Sequence, residues 1–246
     1  MAGDFSAEGA SLQLSSRETL HLHRVLRLNA GDACRIFNRK GQAAEAVIET
    51  ISEIAGARLR IKKILSVRER TLFLKVAQAL PQKRKMDELV EKAEELGVQE
   101  LWVIESQRSI VKMSGDAKIR ARERWERIVV EAAKQSGSPI LTTIEGPLPF
   151  DKLVEEKLER SGRSFIFHPD PQGLSFSDLV TELKGREAEI SAQPVFLFFG
   201  PEGGFTEEEV KLAESRGVRK VFLGDSTLRL ETAFLGVISA LRFLIV

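Results

Sequence analysis

The chain has 246 residues, 43% of them hydrophobic and 30% charged, which is enough for one large domain or two smaller ones with real cores. The formal net charge of +1 excludes no class of partner, but the charge is uneven. Residues 1–70 carry twelve Lys/Arg against eight Asp/Glu, and the remainder carries 25 against 28, so a basic N-terminal part precedes a slightly acidic body. That asymmetry favours a polyanion as partner.

Cys34 is the only cysteine, so the chain can form no internal disulfide and no Cys-based metal centre. The three histidines, His21, His23 and His168, are too few for a His-rich centre, and no metal is expected. Met1 to Ala10 carries acids and no apolar core segment, unlike a signal peptide. The apolar run Ala233 to Val246 is interrupted by Ser239 and Arg242 and is too short for a bilayer. These features predict a cytoplasmic protein with no membrane segment.

In chain order, residues 11–66 read as β-rich. Asp32 to Asn38 and Ala44 to Ile51 flank Arg39-Lys40-Gly41 in hairpin form. Arg58-Leu59-Arg60-Ile61-Lys62 alternates as a half-exposed strand does. A small barrel or sandwich is expected. Ahead of it, His21 to Leu28 predicts a short helix on which His21, Arg24 and Arg27 share a face. That face is either a basic stripe for RNA phosphates or an ordinary solvated surface.

Val67-Arg68-Glu69-Arg70 reads as the link to a second domain. There the periodicity changes. Leu72 to Leu80 is a strand. Lys83 to Leu96 is an amphipathic helix closed by Gly97, with Met86, Leu89, Val90 and Ala93 on its apolar face. Leu101 to Ile104 is a strand, Asp116 to Gln135 a long helix, Arg163 to Phe167 a strand ending at His168-Pro169, and Ser177 caps a helix through Leu183. Alternation of strand and helix predicts an α/β domain with a mostly parallel sheet. Arg108, after a strand, lies at the sheet edge where ligands bind; it would hold an anion there or pair with a nearby acid. Gln135 and Ser136 close the long helix and either cap it or face a site.

Pro194 to Ala233 is the most informative stretch. Val195 to Phe199 is an unbroken apolar run, as expected of a strand buried on both faces. Gly200-Pro201-Glu202-Gly203-Gly204 follows, then Thr206 and Glu209 in capping-box spacing, a helix to about Gly217, and a strand from Val218 to Leu223. The glycine-rich loop matches neither a Walker loop nor G-x-G-x-x-G. Glu202, Glu207, Glu208 and Glu209 crowd the helix start and disfavour an anion, so a neutral or cationic ligand fits better. The last helix, from Glu231 to about Phe243, is apolar on most sides, as in a deep core or a subunit interface. At its head Glu231 reads as a dipole-favoured cap, whereas Arg229 between two leucines has no evident structural use.

Taken together these segments resemble the RsmE family, the small-subunit rRNA uridine N3-methyltransferases of the SPOUT superfamily. The resemblance covers nearly the whole chain. It is carried by His21 to Leu28 before Gly31-Asp32; Lys85 to Val98; Arg108-Ser109-Ile110-Val111; Arg124-Trp125 with Glu131 to Gly137; Gly200 to Gly204; and Leu228 to Ala233. It implies a PUA-like β-barrel over residues 1–68 and an α/β domain with a deep trefoil knot over residues 71–246. It also implies S-adenosylmethionine as methyl donor, a homodimer, and a uridine in the decoding region of small-subunit rRNA, naked or in an assembled small subunit, as target. It assigns the cofactor to Phe199, Gly200, Pro201, Glu202, Gly203, Gly204, Leu223, Gly224 and Leu228. Catalysis falls to Arg229 and Glu231, and RNA contacts to His21, Arg24, Arg27, Arg108, Arg124, Gln135 and Ser136. A sulfonium cation without phosphates agrees with the acid-rich loop. Two departures concern the RNA side. Ser226-Thr227-Leu228-Arg229 stands where the family usually has Arg-Ile-Leu-Arg, and the segment after Gly137 is shortened to Ser138-Pro139. Two other readings of the same residues are a superfamily methyltransferase acting on another RNA, such as tRNA, and a non-enzymatic RNA-binding assembly protein.

Overall fold

The computed structural model of the chain describes residues 5, 7–38, 40–52, 54–67, 72–82, 85–158, 163–184 and 193–245. Arg39, the linker residues Arg68 to Arg70 and the predicted helix start at Lys83 lie outside them. The chain divides into two compact units, one of residues 1–69 with 137–141, the other of 70–136 with 142–246.

In the first unit the strands β1 (Ser11–Gln13), β2 (Ala33–Phe37), β3 (Ala43–Ser52) and β4 (Gly56–Leu65) form an antiparallel sheet in the order β1-β4-β3-β2. Period-two alternation decides its faces. In β4, Ala57, Leu59 and Ile61 are buried while Arg58, Arg60 and Lys62 are exposed. The inner face closes on Phe5, Leu14, Leu22 and Ile36.

The predicted helix at His21 differs from expectation. A short α1 (Ser16–Leu20), capped by Ser15, runs directly into a π-wound turn, His21–Val25. The Leu26 N–H bonds the His21 carbonyl at 3.0 Å, five residues back. Arg27 then takes a left-handed backbone, φ 56°. π winding places residues about 4.4 apart above one another, so the three-residue spacing of His21, Arg24 and Arg27 does not make one stripe.

The second unit is an α/β sheet. Its strands are β5 (Leu74–Ala79), β6 (Glu100–Glu105), β7 (Thr143–Pro149), β8 (Arg163–Phe167), β9 (Leu174–Ser175), β10 (Val195–Phe199) and β11 (Arg219–Phe222). All pairings are parallel, in the order β7-β6-β5-β10-β8-β11-β9. The late strand β10 thus lies between β5 and β8, and all five of its residues are buried. The helices are α2 (Lys85–Glu95), α3 (Asp116–Ser136), α4 (Phe150–Lys152, continuing π-wound through Lys157), α5 (Phe176–Lys184), α6 (Glu207–Ser215) and α7 (Leu230–Leu244). One side of the sheet buries Phe150, Phe196, Phe198, Phe205 and Val210 in a common core. On α7, Leu230, Phe234, Val237, Ile238 and Leu241 are buried, while Phe243 is 74% and Leu244 49% exposed.

Three elements of this unit were not legible beforehand. β7 contains Gly146, Pro147 and Pro149, residues that usually argue against a strand. It lies at the edge of the sheet, where missing N–H donors are tolerated. α4 begins directly after Pro149 with no side-chain cap, and β9 is only two residues long.

Candidate active site

The loop after β10 is fixed by its own geometry and by four outside contacts. Gly204 N–H bonds the Pro201 carbonyl at 2.8 Å, and Gly204 itself takes φ +68°. A Cβ on Gly200 would stand 3.1 Å from Gly204 and 3.2 Å from the Phe205 nitrogen, so a side chain there would press the turn open. Buried Gln78, at the end of β5, donates to the Gly200 carbonyl at 3.2 Å. Arg108 donates to the Gly203 carbonyl at 2.8 Å and lies against its Cα side, 3.5 Å from where a Cβ would be. The Gln82 N–H bonds both carboxylate oxygens of Glu202, and the Lys85 ammonium stands 3.2 Å from that carboxylate.

The helix after this loop begins with a reciprocal capping box. Thr206 Oγ1 accepts the Glu209 N–H, and Glu209 Oε2 accepts the Thr206 N–H at 2.9 Å. Glu209 is therefore a buried, satisfied structural group. The other acids at this helix start are Glu207, 3.9 Å from His168 Nε2, and Glu208. The Glu208 carboxyl lies below the usual glutamate range because of hydrogen bonds from its own N–H and from Thr206.

A cleft of about 590 Å³ opens between this loop and the segment that follows β11. Its lining includes Phe199, Gly200, Pro201, Glu202, Gly203, Gly204, Leu223, Gly224, Leu228 and Arg229, so both loops meet in one space. Its floor is aromatic: Phe167 stacks on Phe199 at 4.7 Å between ring centres, and Phe199 meets Phe234 at 5.3 Å. Arg229 occupies the cap position of α7 but makes no side-chain cap bond. Its side chain is exposed, and among the described residues it has no hydrogen bond or ion pair. Glu231, one turn inside, instead accepts from Lys85, 2.7 Å from Oε1, and its Oε2 is buried without a hydrogen-bond partner. The Lys85 bond, then the Glu231 N–H, hold this carboxyl below the ordinary glutamate range.

The remaining candidates lie elsewhere. Arg124 on α3 pairs with Asp87 on α2. Gln135 and Ser136 close α3, where Ser136 Oγ donates to the Ala133 carbonyl. His21, Arg24 and Arg27 belong to the first unit. Sequence reading assigned no site role to Lys85, Phe167 and His168, which also line the cleft, as does Ser226, a departure from the family pattern on the RNA side. His168 had a usable signal, because it directly follows a predicted strand at the ligand edge of the sheet. Among the described residues no group of three His, Cys, Asp or Glu could hold a metal, and no helix is long and apolar enough to cross a membrane.

The arrangement can take a flat, uncharged or cationic group between glycine backbone and phenylalanine rings, with one uncommitted guanidinium at its mouth. Comparison with known proteins agrees. Residues 68–242 match the model of an RNA methyltransferase domain, and residues 14–55 that of an RNA methyltransferase PUA domain. The chain is 28% identical over 241 residues to ribosomal RNA small subunit methyltransferase E of Bacillus subtilis, covering 96% of this chain and 91% of that one. The crystal structure of a ribosomal RNA small subunit methyltransferase E from Neisseria gonorrhoeae bound to S-adenosyl methionine superposes with a TM-score of 0.85 at 25% identity, over 98% of this chain and 94% of that one. A Legionella pneumophila structure with bound SAM gives 0.83 at 29% identity, covering 98% and 94%. A glycine-turn cleft at the carboxyl ends of two parallel strands, on a chain matched over most of its length, places this protein in the RNA methyltransferase family, in its RsmE branch.

Proposed function

We propose that this protein methylates N3 of a uridine in the decoding region of small-subunit (16S) rRNA, using S-adenosylmethionine. The observation that carries the reading is the single cleft that joins the Gly200–Gly204 turn to the Leu223–Arg229 segment, with Arg229 unpaired at its edge. The residues fit the donor: glycines allow close approach of the backbone, the floor is aromatic, and the glycine turn itself carries an acid, Glu202, and no lysine, while Lys85 and Arg229 are the cations of the lining. Phe199 to Gly204, Leu223, Gly224 and Leu228 would hold it. When bound, it supplies an electrophilic methyl group.

The chain's own residues do the rest. N3 of uracil carries a weakly acidic proton between two carbonyls, and it becomes nucleophilic as that proton leaves. Arg229 stabilises the negative charge that builds on the flanking carbonyl oxygen. Glu231, held by Lys85, sets the electrostatics at the head of α7. The turn and the Arg229 segment fix the base in line, which removes much of the entropic barrier. The target edge is normally paired or stacked, so the uridine enters the cleft splayed out of the RNA.

Residues 1–68 serve as the RNA-gripping PUA-like domain and 71–246 as the catalytic domain, with 137–141 belonging to the former. Exposed Arg58, Lys62 and Lys63 on β4 support phosphate contact there. The placement of the late strand β10 between β5 and β8 supports a knotted path for the last 50 or so residues. Exposed Phe243, Leu244 and Leu228 support a homodimer. The reading implies a cytoplasmic enzyme, where ribosomal subunits are.

Calorimetric titration with S-adenosylmethionine, with ATP and NAD as controls, tests the cofactor. Mapping of the methyl group on unmodified small subunits tests the target. Saturable binding of S-adenosylmethionine alone and a new N3-methyluridine are expected. Absence of both on small subunits would overturn the assignment.

A further inference from the structure

Helix α2 begins with a charge in an unfavourable place. Lys85 stands in its first turn, where aligned peptide dipoles favour anions, as Asp87 and Glu88 illustrate. Something other than the helix holds it there. Its ammonium is 2.7 Å from Glu231 Oε1 and 3.2 Å from Glu202 Oε1. Glu202 lies in the turn after β10 and Glu231 in the first turn of α7, so one ammonium ties the two walls of the cleft, and Lys85 itself lines that cleft. The Gln82 N–H, 3.2 and 3.3 Å from the Glu202 carboxylate oxygens, adds a second tie from the same segment to the same wall.

The consequence concerns Arg229. Glu231 is two residues from it and is the nearest carboxylate in sequence. Were Glu231 unpaired, a guanidinium beside it would be drawn into a bidentate pair. Lys85 bonds that carboxylate instead, and Arg229, exposed and without a hydrogen bond or ion pair among the described residues, acts on Glu231 only through space. The same ammonium separates two carboxylates that would otherwise repel each other across the cleft.

We propose that Lys85 is a positioning residue for the methyl transfer: by binding Glu202 and Glu231 together it keeps Arg229 free for the uracil and couples the cofactor turn to the head of α7. The inference rests on the function proposed above. Coupling of this kind is reciprocal, so a ligand that orders the Glu202 turn also orders Glu231 through Lys85, and a base bound at Arg229 tightens the turn.

The test uses the full chain with Lys85→Met, Lys85→Arg, Glu231→Gln and the double variant Lys85→Met/Glu231→Gln. Each is assayed for kcat and KM on unmodified small subunits and for S-adenosylhomocysteine affinity with and without those subunits. Lys85→Met is expected to lower kcat by about tenfold or more while KM for subunits changes by less than about threefold. In the wild type, subunits are expected to raise S-adenosylhomocysteine affinity roughly severalfold, and in Lys85→Met that gain should disappear. Lys85→Arg should restore most of kcat, a rescue that simple loss of a helix-start residue would not show. The double variant should be no worse than Lys85→Met alone. Wild-type kcat in Lys85→Met, or losses that multiply in the double variant, would overturn the proposal. If Lys85→Met fails to fold, Lys85→Arg and Glu231→Gln decide it: a Glu231→Gln variant with wild-type kcat and wild-type coupling would overturn it. An inactive wild type that binds no S-adenosylmethionine would overturn the proposal together with the function beneath it, whereas an active wild type with an unaffected Lys85→Met overturns the Lys85 role alone.

Discussion

Glu209 Oε1 accepts the backbone N–H of Gln107 at 2.8 Å, across 102 positions of sequence. The same carboxylate closes the capping box of α6 through Thr206. One buried acid therefore fixes the start of α6 and anchors the loop after β6, from which Arg108 reaches the Gly203 carbonyl. Replacing Glu209 by Ala leaves the buried Thr206 N–H and the partly buried Gln107 N–H unpaired and should cost about 2–4 kcal/mol. Thr206→Ala removes a single cap acceptor and should cost about 1 kcal/mol. Urea unfolding of the two variants measures both.

Arg229→Ala should leave the fold intact, because the side chain makes no bond to another described residue. Its expected effect is on turnover: kcat for methyl transfer to small subunits should fall by about 10²–10³, the size of losing one group that stabilises developing charge. S-adenosylmethionine affinity measured without RNA should change by less than about threefold. Single-turnover kinetics with labelled donor checks this, and full retained activity would remove Arg229 from the reaction.

The Lys85–Glu231 link should show in the pH dependence of stability. Its hydrogen bond to Lys85 depresses the Glu231 carboxyl, so that contribution is present above the ordinary glutamate value and is lost as pH falls through the depressed one. The bond to Glu231, then that to Glu202, raises the Lys85 ammonium. Its contribution is present below the ordinary lysine value and is lost as pH rises through the raised one. A double-mutant cycle of Lys85→Met and Glu231→Gln in thermal melts should give a constant coupling between roughly pH 5 and pH 10, decaying on either side.

Phe234 is fully buried on α7 and meets Phe199 beneath the cleft. Phe234→Ala should cost about 3–5 kcal/mol of stability. Because the cavity opens under the cofactor floor, S-adenosylmethionine affinity should fall with it, unlike in a core variant such as Leu59→Ala in the first unit. Calorimetry and chemical unfolding on both variants separate the two effects.

RNA affinity should fall linearly in log–log form with salt. Removing the three exposed cations of β4, with Arg58→Ala, Lys62→Ala and Lys63→Ala together, should reduce the magnitude of the slope by about 2 if they meet single-stranded phosphates, at about 0.7 per contact. An unchanged slope would place the RNA on another face.

Local physics made much of this protein readable from sequence. The apolar run Val195–Phe199 had to be a strand buried on both sides, Thr206 and Glu209 had to start a helix, and the glycines between them had to make a turn. Each of these depends on neighbours within a few residues. β7 was hidden because its prolines signal the opposite of a strand until its edge position is known. The winding at His21 was hidden because α and π turns share the same composition. Sequence determined the two-part organisation, the glycine turn and the residue types around the cleft. Tertiary structure alone decided who holds whom: that Glu209 also takes the Gln107 N–H, that Arg124 is spent on Asp87, and that Lys85 rather than Arg229 bonds Glu231. Such partners lie 37 to 146 positions apart, and a charge carries no mark in sequence of the opposite charge it will meet once strands far apart in the chain pair side by side.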